Sequence, residues 1–394
     1  MLSREEMRQV ERSLANGEQD TRDEIGFLLL HQGFADRFFP GTSVLHTRIR
    51  YALFVPWIYE SAATAGSRGS KIEGAIRQNL IQLAIRLKQI GGEPRDVIGG
   101  DKLGQLTSQP PDRSYWSALR TWRLLDDNVQ TRSEALARLA ARSSRRVLRD
   151  EEGGYLDELE STDVFPAMPE LPDDWNNPAS ALHFELEPEE REFLRDKLRK
   201  LTRPDDEKRA LLARLMDRRV AFPASLPVLT SALDPFADER DRAALKVARH
   251  AAGLAAIGRT IYGALVEQLR GDDGGPDEST FRDLLDTKLA EHGEAADHFD
   301  LEAVRGFLPE LPEHFVEVLR HTQEFVRKGS AGRFTELLDV FHRSEWRRKG
   351  QRARLGKTPR ARQRRTEWLP ARHNTEPLHY RWRVITAMLD DLYS

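Results

Sequence analysis

Apolar residues recur along this chain at helical spacing and almost nowhere in the two-residue alternation of a half-buried strand. Ile72, Ile76, Leu80, Leu83 and Leu87 fall on one face of a helix, and Leu136, Leu139 and Val147 on another. Further helical stretches are predicted at Phe193–Leu201, Lys208–Arg219, Arg242–Leu269 and Ser279–His292. Leu301–Arg327 has the same period, interrupted at Pro309 and Pro312, and a last helix is expected over His379–Leu392. The 394 residues are enough for two or three domains with a hydrophobic core. No repeat of roughly 20 to 50 residues is present, which excludes a solenoid. The prediction is an all-α, multi-helical fold in two or three subdomains, with a basic C-terminal arm.

Two segments mark boundaries. Asp150 to Trp175 holds ten Asp/Glu, no Lys or Arg, and Pro166, Pro169 and Pro172. Such a stretch repels itself and resists helix formation, so it is expected to be a linker. The predicted organisation is an N-terminal helical domain (1–149), an acidic Pro-containing linker (150–180), a central helical domain (181–342), and the basic arm with a terminal helix (343–394). Gly271–Pro276 is expected to be a tight loop, with Ser279 or Thr280 capping the next helix.

The chain has no cysteine, which removes disulfides, thiolate nucleophiles and cysteine-ligated zinc. Its first residues, MLSREEMRQVERSL, alternate charges where a secretory signal would be apolar. The longest weakly apolar run, Ala251 to Gly258, is far too short to span a bilayer. A cytoplasmic protein without membrane contact is expected.

The formal net charge of −3 conceals an uneven distribution. Arg343 to Arg372 carries twelve Lys/Arg against two Glu, a local +10 that leaves −13 on the rest. Arg347, Arg348, Lys349, Arg352, Arg354, Lys357, Arg360, Arg362, Arg364 and Arg365 fall within nineteen positions. Crowding like charges costs Coulomb energy unless a polyanion relieves it, and Arg suits phosphate through its bidentate fork. Trp346 and Trp368 flank the run and could stack on bases. Gly350, Gly356 and Pro359 point to an extended segment, making phosphate contacts that are independent of sequence. The alternatives are a solvated tail, or a strap docked on an acidic surface such as the 150–180 linker. Anionic lipid is disfavoured, because no apolar anchor accompanies the charges.

The most distinctive block is Phe38-Phe39-Pro40-Gly41-Thr42-Ser43, followed by Arg48, Arg50, Tyr51 and Phe54-Val55-Pro56-Trp57-Ile58-Tyr59. Pro40-Gly41 makes a turn, and Thr42 or Ser43 is expected to cap a helix burying Leu45, Ile49, Leu53 and Trp57. Pro56 should kink or end that helix. Thr42 and Ser43, with Arg48 and Arg50 nearby, form a possible anion site at a helix N-terminus. The other reading is a capped core helix whose arginines pair with carboxylates such as Asp36 or Glu60. Gly41-Thr42-Ser43 lacks the Lys and the spacing of a P-loop.

This block resembles an uncharacterised family of bacterial proteins that open with an FPGTS turn, an Arg-x-Arg-Tyr step and a Phe-Val-Pro-Trp-Ile-Tyr segment. The likeness extends to Ser114–Leu119 and to Tyr380-Arg381-Trp382 before Asp390-Asp391-Leu392. The family has no established activity. It is loosely associated with phage-defence gene clusters that include helicases and nucleases, which implies such proteins as partners.

Asp101–Leu106, a Pro-containing turn, and Ser114–Leu125 could form a helix-turn-helix with Arg113, Arg120 and Arg123 beside the groove, though Tyr115, Trp116, Leu119 and Trp122 look like core. Arg142, Arg145, Arg146 and Arg149 could extend a basic face or simply be solvated. Asp205-Asp206-Glu207-Lys208 precedes a helix and is best read as dipole pairing. The eleven His show no ligand spacing, and Pro377 separates Arg372 and His373 from His379, so no metal, cofactor or catalytic set is expected. Ala251, Ala252, Gly253, Ala255, Ala256, Gly258, Gly263 and Ala264 make a close-packing helix surface. The expectation is a non-catalytic, nucleic-acid-associated subunit of a bacterial assembly, with antiphage defence as its setting. The alternatives are an adaptor bridging proteins through the small-residue helix and acidic linker, and a nuclease whose site escapes recognition. Reversing Arg360, Arg362, Arg364 and Arg365 to Glu is expected to abolish DNA binding.

Overall fold

The computed structural model describes residues 23–64, 70–89, 96–152, 163–166, 168–217, 231–329, 331–369 and 375–393. It is all-α: fifteen α-helices form among the described residues, and the sole β-type pairing is an isolated bridge between Thr202 and Arg209. They are α1 (Phe27–Phe38), α2 (Tyr51–Thr64), α3 (Ser70–Lys88), α4 (Pro111–Ser114) and α5 (Trp116–Thr121). Next come α6 (Arg132–Glu152), α7 (Pro188–Arg199), α8 (Leu211–Leu215), α9 (Glu239–Asp272) and α10 (Thr280–Asp297). The last five are α11 (Leu301–Phe307), α12 (Glu313–Lys328), α13 (Leu338–Lys349), α14 (Pro359–Thr366) and α15 (Trp382–Tyr393). No helix among the described residues is long and apolar enough to cross a membrane.

The chain divides into two compact units, one of Met1–Met7, Phe38–Leu226 and Arg381–Ser394, the other of Arg8–Arg37 and Pro227–Tyr380. The terminal helix therefore joins the first unit and the basic arm the second.

In the first unit α2 is the hub. It is apolar all round, as a helix buried on every side must be. It packs against α3, which presents the five predicted residues Ile72 to Leu87, and against α6 through the buried Ala135 and Leu139. Leu45 lies before the helix, which begins at Tyr51 and runs through Pro56 to Thr64. Pro56 neither caps nor ends it, because burial of the surrounding Phe54, Val55, Trp57 and Ile58 outweighs one lost hydrogen bond.

Part of the expected linker is instead folded onto this unit. Trp175 stacks on Phe54, meets Trp57 edge-on, and donates its indole N–H to Ser61 Oγ at 2.8 Å. Arg86 donates to the carbonyls of Asp174, Trp175 and Ser180 at 2.7, 2.8 and 2.7 Å. The helical residues Asp150, Glu151 and Glu152 belong to α6, so the acidic stretch does not begin with a break. Residues 153–162 and 167 lie outside the described residues.

Three further expectations are corrected here. Residues 101–106 form glycine-rich turns, with Gly99 and Gly104 at φ +83° and +82°, instead of a helix. The second predicted helix is split into α4 and α5, with Tyr115, Leu119 and Trp122 buried, so no recognition helix stands free. The predicted Lys208–Arg219 helix shortens to α8 among the described residues. The preceding acidic cluster is a turn closed by the Thr202–Arg209 bridge, in which Asp206 holds the buried Arg203 at 2.8 Å.

The second unit is organised by α9, 34 residues and about 50 Å long. A short turn returns the chain antiparallel as α10: Gly253 faces Ala295 and Gly263 faces Phe281. A Cβ on Gly258 would collide with the ring of Phe27 on α1, which explains the small residue there. The small-residue stripe is thus core of its own unit, not a surface for another protein. Ser279 occupies the cap position of α10, but its hydroxyl turns to Asp283. The buried Glu267 carboxylate caps instead, accepting from the amides of Phe281 and Arg282.

Candidate nucleic-acid interface

The basic arm is folded, not extended. The helix α13 ends in Trp346-Arg347-Arg348-Lys349 and stops at Gly350, whose φ of +54° a side chain would strain. A 3-10 turn follows at Gly350–Arg352, then Ala353, Arg354, Leu355 and Gly356 dip into the unit. Thr358 caps α14 by accepting from the Ala361 amide at 3.1 Å, with Pro359 at the first helical position.

A buried carboxylate shapes the turn. Glu345 accepts from the amides of Arg354 and Leu355 at 2.9 and 2.8 Å and from the Tyr262 hydroxyl at 2.7 Å. Burial pushes its carboxyl above the usual carboxylate range, against those three donors, which hold it down.

The ten arm cations then separate into two sets. Arg348 pairs with Asp23 at 2.7 Å, Lys349 with Glu24, and Arg354 with Glu24 at 2.8 Å. Arg365 is buried: its guanidinium binds Asp273, just past the C-terminus of α9, and donates to the carbonyls of Arg354 and Gly356. These four cations are structural. Two more are held at the surface, Arg362 by Asp273 at 3.2 Å and Arg364 by Glu367 at 3.4 Å. Arg347, Arg352, Lys357 and Arg360 are exposed and meet no carboxylate among the described residues; Arg360 donates to Gln351. The arm's carboxylate partners in its own unit are Asp23, Glu24, Asp273 and Glu367. Of the flanking tryptophans, Trp368 is packed on Phe281 with ring centroids 5.5 Å apart, whereas Trp346 is 46% exposed.

The Thr42-Ser43-Arg48-Arg50 cluster is not an anion site. No helix starts at Thr42 or Ser43, and both arginines are paired with carboxylates of the protein. Thr42 is buried, its hydroxyl donating to the Phe39 carbonyl at 2.7 Å while its own carbonyl accepts from Arg381 at 2.7 Å. Arg48 donates to Asp391 at 2.7 Å and to Asp96 at 3.1 Å. Arg50 is buried and donates to Glu190 at 2.7 Å and to the His183 carbonyl at 2.9 Å. The arginines are paired, as one reading held, but with partners other than Asp36 or Glu60. Glu60 binds Arg142, which also reaches Asp163; the side chains of Arg145, Arg146 and Arg149 lie outside the described residues. Gly41 (φ +79°) is required because a Cβ would stand 2.7 Å from the Trp122 indole nitrogen, which donates to the Pro40 carbonyl.

His46 completes this turn and makes it sensitive to acid. The Ser43 amide donates to Nδ1 at 3.3 Å, so Nε2 carries the proton and donates to the Ser114 carbonyl at 3.0 Å. The ring stacks on Tyr115. Burial lowers its pKa to about 3 from the usual 6.5. Because the folded value lies below the unfolded one, stability is present above pH 6.5 and is lost as pH falls from 6.5 toward 3. Thermal and denaturant unfolding between pH 7 and 5 should show His46 adding about tenfold per pH unit to the unfolding constant below 6.5. That increment is expected to vanish in His46→Gln.

Among the described residues, no three or more histidine or carboxylate groups are gathered so as to hold a metal ion. His379 packs edge-on against His31; Arg372 and His373 lie outside the described residues.

Residues 3–283 match a family of unknown function, DUF6361. The chain belongs to that family. The DUF6361 segment includes the Phe38–Tyr59 block and ends within α10, so the arm lies beyond it. No curated protein and no solved structure matches the chain.

Proposed function

We propose that this protein is a non-catalytic, cytoplasmic, nucleic-acid-associated subunit of a bacterial assembly, with antiphage defence as its setting and a helicase or nuclease among its partners. It holds phosphate backbones through the outward face of the α13–α14 arm. The observation that carries this reading is the division of the arm. Four of its cations are neutralised inward by carboxylates or carbonyls, yet Arg347, Arg352, Lys357 and Arg360 are kept exposed with no carboxylate beside them among the described residues. A fold able to recruit Asp23, Glu24 and Asp273 for its inner cations leaves the outer ones to an external polyanion. Contacts of this type report no base identity, so binding is independent of sequence.

The test is a salt titration of the full chain on random-sequence duplex DNA. Four phosphate contacts release counterions so that affinity falls about 100-fold between roughly 50 and 200 mM salt. Absence of binding at the lowest ionic strength overturns the proposal.

A further inference from the structure

Trp346 is the one exposed Phe, Tyr or Trp side chain among the described residues, and it lies within the basic arm. It stands on the last turn of α13, with Arg343, held by Glu317 at 3.5 Å, one turn behind it, and the exposed Arg347, which meets no carboxylate among the described residues, next in the chain. His342 holds the indole from the N-terminal side, ring centroids 6.3 Å apart at 62°. One turn ahead is Gly350, which has no side chain to lay over the ring, and an added Cβ there would meet nothing within 4 Å among the described residues. The ring is therefore flanked by His342 on one side and exposed to solvent, and Arg347 and Arg352, the exposed cations that follow it in the chain, would sit on the phosphates either side of a stacked base. In a duplex the base faces are already stacked on one another. Only an unpaired base offers its face to an indole.

Resting on the phosphate-binding reading above, we infer that the arm takes single-stranded nucleic acid, with Trp346 stacking on an unpaired base between backbone contacts from Arg347 and Arg352. Duplex binding uses the same cations without the indole.

Binding of the full chain to an oligo-dU strand of about 20 nucleotides, an oligo-U strand of the same length and a random duplex separates the possibilities. Trp346→Ala should weaken single-strand binding by about tenfold and leave duplex binding unchanged, while Trp346→Phe retains most of the single-strand affinity. Dependence on Trp346 with either strand supports stacking, and the tighter of the two strands identifies the sugar. Salt-dependent binding to all probes with no selective effect of Trp346→Ala overturns this inference but leaves the phosphate-binding reading standing. No salt-dependent binding to any probe overturns both.

Discussion

Replacing Arg50 with methionine is expected to lower folding stability by about 3–5 kcal/mol, one of the largest losses any single substitution in this chain should cause. Its guanidinium is buried, lies over Phe54, and holds Glu190, itself buried at the third position of α7. Glu190 has a second duty, accepting the Glu187 amide in the capping box that starts α7. Without Arg50 the carboxylate keeps that single amide in a low-dielectric site, and the His183 carbonyl loses its donor. The double variant Arg50→Met with Glu190→Leu should recover much of the loss, since an apolar pair replaces a buried ionic one without orphaning either charge. A thermal-unfolding cycle over the four proteins measures this coupling. If Arg50→Met alone were neutral while weakening phosphate binding, the arginine would be serving a ligand, contrary to its place in the fold.

That pairing also marks what the sequence could reveal. Helix faces were legible because their period is local: Ile72 to Leu87 all turned inward, and the small residues of α9 turned out to be the seam for α1 and α10. Partners of buried charges were not, because Arg50 and Glu190 are 140 positions apart and Arg48 and Asp391 343 apart, and ion pairing leaves no periodic trace. Residues 101–106 turn instead of coiling because Gly104 and the preceding Gly99 take positive φ, which breaks a helix. The arm carried a signal that was available but outweighed by its charge. Thr358 followed by Pro359 is a cap and first-turn pair that starts a helix, and Glu345 is a lone carboxylate inside a basic run, which the fold uses to hold the amides of the turn. Which cations face inward depends on Asp23, Glu24 and Asp273, brought there by other helices, and only the fold supplies that.

The division of the arm changes how phosphate binding should be probed. Reversing Arg360, Arg362, Arg364 and Arg365 together would place a carboxylate in the buried Arg365 site beside Asp273 and break the Arg362 and Arg364 pairs, so lost binding could reflect lost folding. Reversing Arg347, Arg352, Lys357 and Arg360 to Glu removes only groups without carboxylate partners among the described residues, and exposed sites of that kind shift stability by about 0.5 kcal/mol or less each. The variant should therefore melt close to wild type. Its affinity for random-sequence DNA at about 100 mM salt should fall by at least roughly 100-fold, and the slope of log affinity against log salt should shrink by about 3.6, the contribution of four phosphate contacts. Each replacement also presents a negative charge to the backbone, so the loss should exceed that of the matching alanine variant, and more so at low salt. A folded quadruple variant with the wild-type slope would place the phosphate contacts elsewhere on the molecule. In that case the outward cations would be a solvated surface, and the inward carboxylates would account for the whole function of the arm.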